Sequence, residues 1–213
     1  MRAAAEIHQM FFSFLVSEFS DARCPVSGAD GRFSKTVGFW PPESKAEFRQ
    51  YLPANWQLVA QSEGDLGDRM ASFFETHFNE GFENVILIGA DCPFVDTSLV
   101  IRTVELLMSN DVVLGPSRDG GYYLVAMKRS NPYLFQDMRW SHDQVFAETR
   151  RRIESRGQRL ALLDEFFDID THRELECFLE SSEPRFKLLQ KQIRSILNES
   201  VSDGRESDGE SCA

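Results

Sequence analysis

The chain has 213 residues, 42% of them hydrophobic and 27% charged, enough for one ordinary globular domain with its own core. Its formal net charge of -11 argues against attraction to bulk nucleic acid through a general electrostatic field. No run of about 18 apolar residues is present, so no membrane-spanning helix is expected.

Ala3, Ile7, Met10, Phe11, Phe14 and Leu15 recur at helical spacing and predict an amphipathic helix over 3–20. Its apolar stretch 10–16 is bracketed by Glu6 and Glu18 without a cationic leader, unlike a secretory signal. The Gly-, Pro-, Ser- and Asp-rich stretch 24–34 reads as a loop. A strand is predicted over 36–40, stopped by Pro41-Pro42, then a short helix over 44–51 and a strand over 56–60. A helix over 68–80, packed through Met70, Phe73, Phe74 and Phe78, ends at Gly81. The apolar run Val85-Ile86-Leu87-Ile88 predicts a buried strand ending at Asp91.

Beyond it, 97–108 reads as a helix capped by Asp96 or Thr97, and 111–115 and 122–127 as strands. A helix over 143–156 ends at Gly157, and a strand covers 159–163. Thr171-His172-Arg173-Glu174 has the capping-box pattern of a helix start. A last amphipathic helix over 185–197 reads as closing the domain rather than lying on a membrane. Residues 199–210 carry five acids against Arg205 alone, so 1–198 is read as the domain and 199–213 as a disordered acidic tail. The alternation of strands and helices predicts an α/β fold with a mostly parallel sheet sandwiched by helices.

The cysteines Cys24, Cys92, Cys177 and Cys212 are scattered without a C-x-x-C pair. That suits reduced thiols in a cytoplasmic protein better than a disulfide framework or a zinc site. Cys92 has no evident base partner and reads as a small buried thiol.

Three segments carry candidate chemistry. Asp91, after a strand and before Cys92-Pro93, is placed where open α/β sheets bind ligands. A hard cation such as Mg²⁺ takes one or two carboxylates and completes its shell with phosphate and water. A turn or capping aspartate would look the same. Asp168-Ile169-Asp170-Thr171 sets alternate carboxylates on one face of an extended segment, as metal-facing groups or as a cap cluster. Asp119-Gly120-Gly121-Tyr122-Tyr123 is a turn whose glycines allow close backbone approach to a ligand, or a plain hairpin. A fourth stretch, Gln61 through Gly64 and Gly67 to Arg69, opens a helix whose amino end suits an anion or a nucleotide. His142 and His172 lie near these segments without an assigned role.

Taken together, segments 61–70, 88–93, 111–123, 140–145 and 168–175 resemble a family of small glycosyltransferase-A-like proteins first labelled as a domain of unknown function. That family also appears as a transferase associated with radical-SAM and selenoprotein genes, and as arsenosugar-biosynthesis glycosyltransferases. The resemblance implies a nucleotide-diphospho-sugar transferase fold related to guanylyl- and cytidylyltransferases. It implies Mg²⁺ or Mn²⁺ on Asp91 and Asp170. Nucleotide or substrate contacts fall on Gln61, Gly64, Gly67, Arg69, Gly120, Gly121, Trp140 and Ser141, and a general base on Asp119 or Asp168. The partners implied are a nucleotide sugar or nucleotide and a small-molecule acceptor.

Two departures follow. His142 stands where the family has threonine in Trp-Ser-Thr. The family also opens with a strand and a Gly-containing Lys-Thr-Arg loop, whereas this sequence opens at the following helix, implying an N-terminally truncated version of the fold. The activity implied is metal-dependent glycosyl transfer. Nucleotidyl transfer on the same metal site is the alternative, and a non-catalytic remnant of the fold is another.

Overall fold

The computed structural model describes residues 2–23 and 33–206. Most of the loop expected over 24–34, and the end of the acidic tail, lie outside the described residues. The first helix is α1 (Arg2–Ser20), followed by β1 (Thr36–Phe39), a single 3-10 turn, α2 (Lys45–Arg49) and β2 (Gln57–Ala60). Then come α3 (Leu66–Asn79), β3 (Val85–Ile88), α4 (Thr97–Ser109), β4 (Val112–Pro116) and β5 (Tyr122–Met127). The chain closes with α5 (Val145–Ser155), β6 (Leu160–Leu162), α6 (His172–Glu180) and α7 (Lys187–Glu206).

The strands form two sheets among the described residues. β1 and β2 pair in parallel, Phe39 opposite Ala60, while the larger sheet has the order β3-β5-β4-β6. β5 runs antiparallel to both neighbours and β4 pairs in parallel with β6. Three of the four strands therefore point the same way, but the expected mostly parallel pairing is corrected to a mixed sheet. The cause is the turn 117–121 between β4 and β5, too short for a crossover helix, which makes a hairpin instead.

The alternation of side chains sorts the core into two faces. Val113, Leu124 and Ala126 pack with Leu15, Val16 and Phe19 of α1 and Val100 and Leu107 of α4. Val112, Leu114, Val125 and Met127 pack instead with Met70 and Phe74 of α3 and Ile153 of α5. The sheet is thus covered on both sides, as the sequence pattern predicts. α1 is apolar on a second side as well: Ile7 and Phe11 join Phe178, Phe186, Leu189 and Ile193 from α6, α7 and the turn between them. Phe11 meets Phe178 edge-on at 5.3 Å, so the Phe-rich helices are core.

Boundaries differ where capping chemistry decides them. α3 starts at Leu66, not Asp68, because Asp65 accepts from the Asp68 N–H at 2.9 Å while its own N–H donates to Asp68 Oδ2 at 3.1 Å. Asp96 caps α4 by accepting from the Leu99 N–H at 2.7 Å. The helix read over 185–197 runs from Lys187 to Glu206. No helix among the described residues is long and apolar enough to cross a membrane.

Candidate active site

β3 ends at Ile88, three residues before Asp91, so the aspartate stands beyond the strand rather than at its last residue. Gly89 continues the ladder through an N–H to Tyr123 O bond of 2.9 Å. A Cβ on Gly89 would lie 2.6 Å from Asp91 Oδ1, so the carboxylate sits against a position that only glycine leaves open. The segment after β6 then returns to this place. Ile169 N–H donates to the Asp91 carbonyl at 3.1 Å, which fixes Asp168 and Asp170 on either side of that bond.

The β4–β5 turn is stitched to the same segment. Phe166 N–H donates to Pro116 O at 3.1 Å and Arg118 N–H to Phe166 O at 3.0 Å. Ser117, nearly buried, donates its hydroxyl to Asp168 Oδ2 at 2.9 Å. Asp119 accepts from the Gly121 N–H at 2.9 Å, an Asx turn that fixes its carboxylate at the tip. Gly120 has φ +89, and a Cβ there would lie 2.1 Å from Asp143 O, because the hairpin tip presses on the entry to α5. Phe146 N–H donates to Gly120 O at 2.7 Å across that contact.

The result is one field of negative charge. Burial and then the Asp91 carboxylate push Asp168 up to about 6, with Asp119 and Asp170 adding to the rise and the Ser117 hydrogen bond opposing it. Asp170 is also raised, by burial first, then by Asp91, Glu174 and Asp119. The thiol of Cys92, fully buried, is pushed up by burial and by Asp168, which makes it inert as a nucleophile at neutral pH, in line with the sequence reading.

Asp168 Oδ1 is buried and has no hydrogen-bond partner. Hard carboxylate oxygens, one of them orphaned, fit a divalent cation. Among the described residues no three His, Cys, Asp or Glu side chains stand preassembled as a metal cage. A cation completed by phosphates and waters does not require one.

The second group lies where β1 and β2 end. Gln61 N–H donates to Phe39 O at 3.0 Å, and Arg69 donates to Gln61 Oε1 at 3.3 Å and to Gly64 O at 3.3 Å. The Arg69 guanidinium lies 4.9 Å from the Trp40 ring centroid. Gly64 has φ +105 and enters the capped start of α3. Gly67 belongs to a packing contact instead: a Cβ there would meet Trp140 Nε1 at 2.8 Å and Phe135 O at 2.6 Å. Trp140 is therefore seated on α3, its Nε1 buried without a partner, while Ser141 is exposed at φ +62.

Sequence reasoning passed over three residues here. Ser117 lies inside a flagged stretch but was not singled out, since a lone serine before Asp119 carries no pattern. Trp40 had only its place before Pro41-Pro42 to mark it. His8, on α1, is the histidine that opposes the rise of the Asp170 carboxyl, whereas His142 accepts from the Gln144 N–H and exposed His172 lies 3.3 Å from Glu176. No sequence signal links position 8 to position 170.

These features define an α/β nucleotide-diphospho-sugar-transferase-like fold, and solved structures agree. A protein from Desulfovibrio desulfuricans G20, provisionally assigned as a nucleotide-diphospho-sugar transferase, superposes with a TM-score of 0.75 at 22% identity, covering 92% of this chain and 86% of its own. The 4-diphosphocytidyl-2C-methyl-D-erythritol synthase of Anaerococcus prevotii gives 0.55 at 12% identity, with 77% and 82% covered. A CMP:2-keto-3-deoxy-manno-octonic acid synthetase, solved with CTP, gives 0.55 at 11%, with 85% and 88% covered. No curated protein sequence matches. The chain belongs to the family described as "uncharacterized protein conserved in bacteria" (DUF2064), whose profile matches residues 27–142, more than half of its length.

Proposed function

We propose that the protein is a divalent-metal-dependent transferase that uses a nucleoside-diphosphate sugar as glycosyl donor, of the kind associated with radical-SAM genes or arsenosugar synthesis. The observation that carries the reading is the convergence of Asp91, Asp119, Asp168 and Asp170, with a buried, unpartnered oxygen on Asp168. So many carboxylates in one field are unfavourable unless a cation enters. Asp91 and Asp170 are the residues that would hold Mg²⁺ or Mn²⁺. Bound there, such a cation would supply positive charge to offset that of a departing diphosphate.

The chain's own groups would do the rest. The acceptor hydroxyl attacks the anomeric carbon, the bond from that carbon to the diphosphate oxygen breaks, and the nucleoside diphosphate departs. The hydroxyl proton passes to Asp168 or Asp119. Asp168, raised to about 6, is matched to a general base near neutral pH. Asp119, at the glycine-rich hairpin tip with Gly120 and Gly121, would meet the acceptor. Gln61, Gly64, Arg69 and the Gly67–Trp140–Ser141 region would line the nucleotide side.

Nucleotidyl transfer is the second reading. The likeness to two synthases of cytidylyl type, one solved with CTP, favours it. The same carboxylates would then serve attack of an acceptor phosphate on an α-phosphate, with pyrophosphate leaving.

Thermal shift with Mn²⁺ and a panel of nucleotide sugars and nucleoside triphosphates tests the proposal. A shift with a nucleotide sugar that needs Mn²⁺ and is lost in Asp91→Ala supports glycosyl transfer. A triphosphate-only response supports nucleotidyl transfer. No response to any nucleotide from folded protein overturns both and leaves a non-catalytic fold.

A further inference from the structure

Trp40, Gln61 and Arg69 form a group that phosphate chemistry does not account for. Phe39 and Ala60 are register partners in the parallel β1–β2 sheet, so Trp40 and Gln61 are the next residues out of two adjacent strands at their carboxyl ends. Ligands of open α/β sheets gather at such ends. Trp40 is 39% exposed, whereas Trp56, from the same part of the fold, is 8% exposed and belongs to the core. The Arg69 guanidinium lies over the Trp40 ring at 4.9 Å and is tied to Gln61 Oε1 at 3.3 Å. An exposed indole, a planar cation and a carboxamide thus share one edge.

The charge around this edge decides which part of a ligand it suits. The stretch from Gln61 to Arg69 brings Glu63, Asp65 and Asp68. The amino end of α3, which the glycine spacing suggested for an anion, is closed by its own carboxylates, Asp65 accepting from the Asp68 N–H at 2.9 Å. A phosphate there would meet like charge and find that donor already used. An uncharged, planar, hydrogen-bonding group meets neither obstacle. A nucleobase is such a group, and aromatic side chains stack on any base through its π-face.

We propose that Trp40 is the stacking platform for the nucleobase of the substrate, on the ring face opposite Arg69 and with Gln61 beside it, while the phosphates are bound on the carboxylate cluster through the cation. This inference rests on the nucleotide reading above and says where the base is held.

The test is a titration of the intact protein, with Mn²⁺ present, by ADP, GDP, CDP and UDP, and separately by inorganic pyrophosphate. Trp40→Ala is expected to raise Kd for the nucleotides that bind by about five- to hundredfold, as loss of a base–aromatic stack does. Pyrophosphate should bind within about twofold of wild type, since it has no base. Trp40→Phe should restore nucleotide affinity to within about threefold. Wild-type tryptophan emission should be quenched on nucleotide binding and not on pyrophosphate binding, and most of the quench should be lost in Trp40→Phe, with Trp140 on the nucleotide side supplying any remainder. Circular dichroism on each variant separates loss of binding from loss of fold. If the wild type binds nucleotides and Trp40→Ala binds them equally well, or loses pyrophosphate in equal measure, the platform is overturned and the nucleotide reading stands. If the wild type binds no nucleotide, both fall.

Discussion

Ser117 donates its hydroxyl to Oδ2 of Asp168 across 51 positions of sequence, at 2.9 Å. The bond joins the hairpin after β4 to the segment after β6, and it leaves Oδ1 as the oxygen without a hydrogen-bond partner. Ser117 is 4% exposed, so no bulk water stands ready to replace its hydroxyl. Ser117→Ala should cost about 1.5–3 kcal/mol of stability, the range for a hydrogen bond to a charged group. It should also weaken Mn²⁺-dependent nucleotide binding, because Asp168 is free to rotate. In Asp168→Asn, where the charge is already gone, adding Ser117→Ala should change binding little further. Additive losses in that double-mutant cycle would dismiss the coupling.

Asp168 also predicts a pH dependence. Its carboxyl is raised to about 6 when folded, from the usual carboxylate range when unfolded. The folded state therefore holds the proton more tightly. The stability it confers is complete below the unfolded pKa and is lost as pH rises through about 6. Asp168→Asn removes the penalty of an ionised, crowded carboxylate. Its melting temperature relative to wild type should rise between pH 5 and pH 7.5, and saturating Mn²⁺ should shrink the difference by stabilising the wild type. A difference that is flat with pH would contradict the assignment.

Gly120 and Gly81 offer a matched pair of substitutions. Both have positive φ, +89 and +92, but a Cβ on Gly81 meets nothing within 4 Å, whereas on Gly120 it would lie 2.1 Å from a backbone oxygen. Gly81→Ala should cost about 1 kcal/mol, the strain of a left-handed alanine. Gly120→Ala adds the clash with Asp143 O, must displace the hairpin tip, and should cost several kcal/mol. Chemical denaturation of the two variants side by side checks this. Equal costs would mean the tip yields freely.

Asp111 should act with the opposite sign to Asp168. Its carboxyl accepts from the Arg159 N–H at 2.9 Å, joining the starts of β4 and β6, and that bond first of all holds it below the usual carboxylate range. The stability it gives is present above the unfolded pKa and is lost as pH falls through the lower folded value. Asp111→Asn should therefore lower the melting temperature at pH 7 and converge with wild type in acid. A deficit that persists undiminished at low pH would show that the carboxylate charge is not the cause.

Much of the architecture was legible because it is local. The helices over 3–20 and 97–108 follow from apolar spacing with a cap at Asp96, and β4 and β5 from short apolar runs flanking a glycine turn. Thr171 and Glu174 marked the start of α6 within four residues. What depends on pairing was not legible. The order β3-β5-β4-β6 turns on which strands meet, and the segment that makes the sheet mixed reads from sequence as a ligand-approach turn or as a plain hairpin alike.

The site divides in the same way. Each aspartate could be read as chemically apt from its neighbours, yet Asp91 alone can also be read as a cap, and Gly67 and Trp140 gave no sign of touching. Sequence by itself determined the α/β class, the apolar faces and the acidic residues that follow strands, because periodicity and capping act over a few residues. Only the tertiary structure decided that Asp91, Asp119, Asp168 and Asp170 share one field, that Ser117 holds Asp168, and that Trp40 stands beside Gln61 and Arg69. Those relations come from hydrogen bonds and packing between segments far apart in the chain, and no local pattern encodes their meeting.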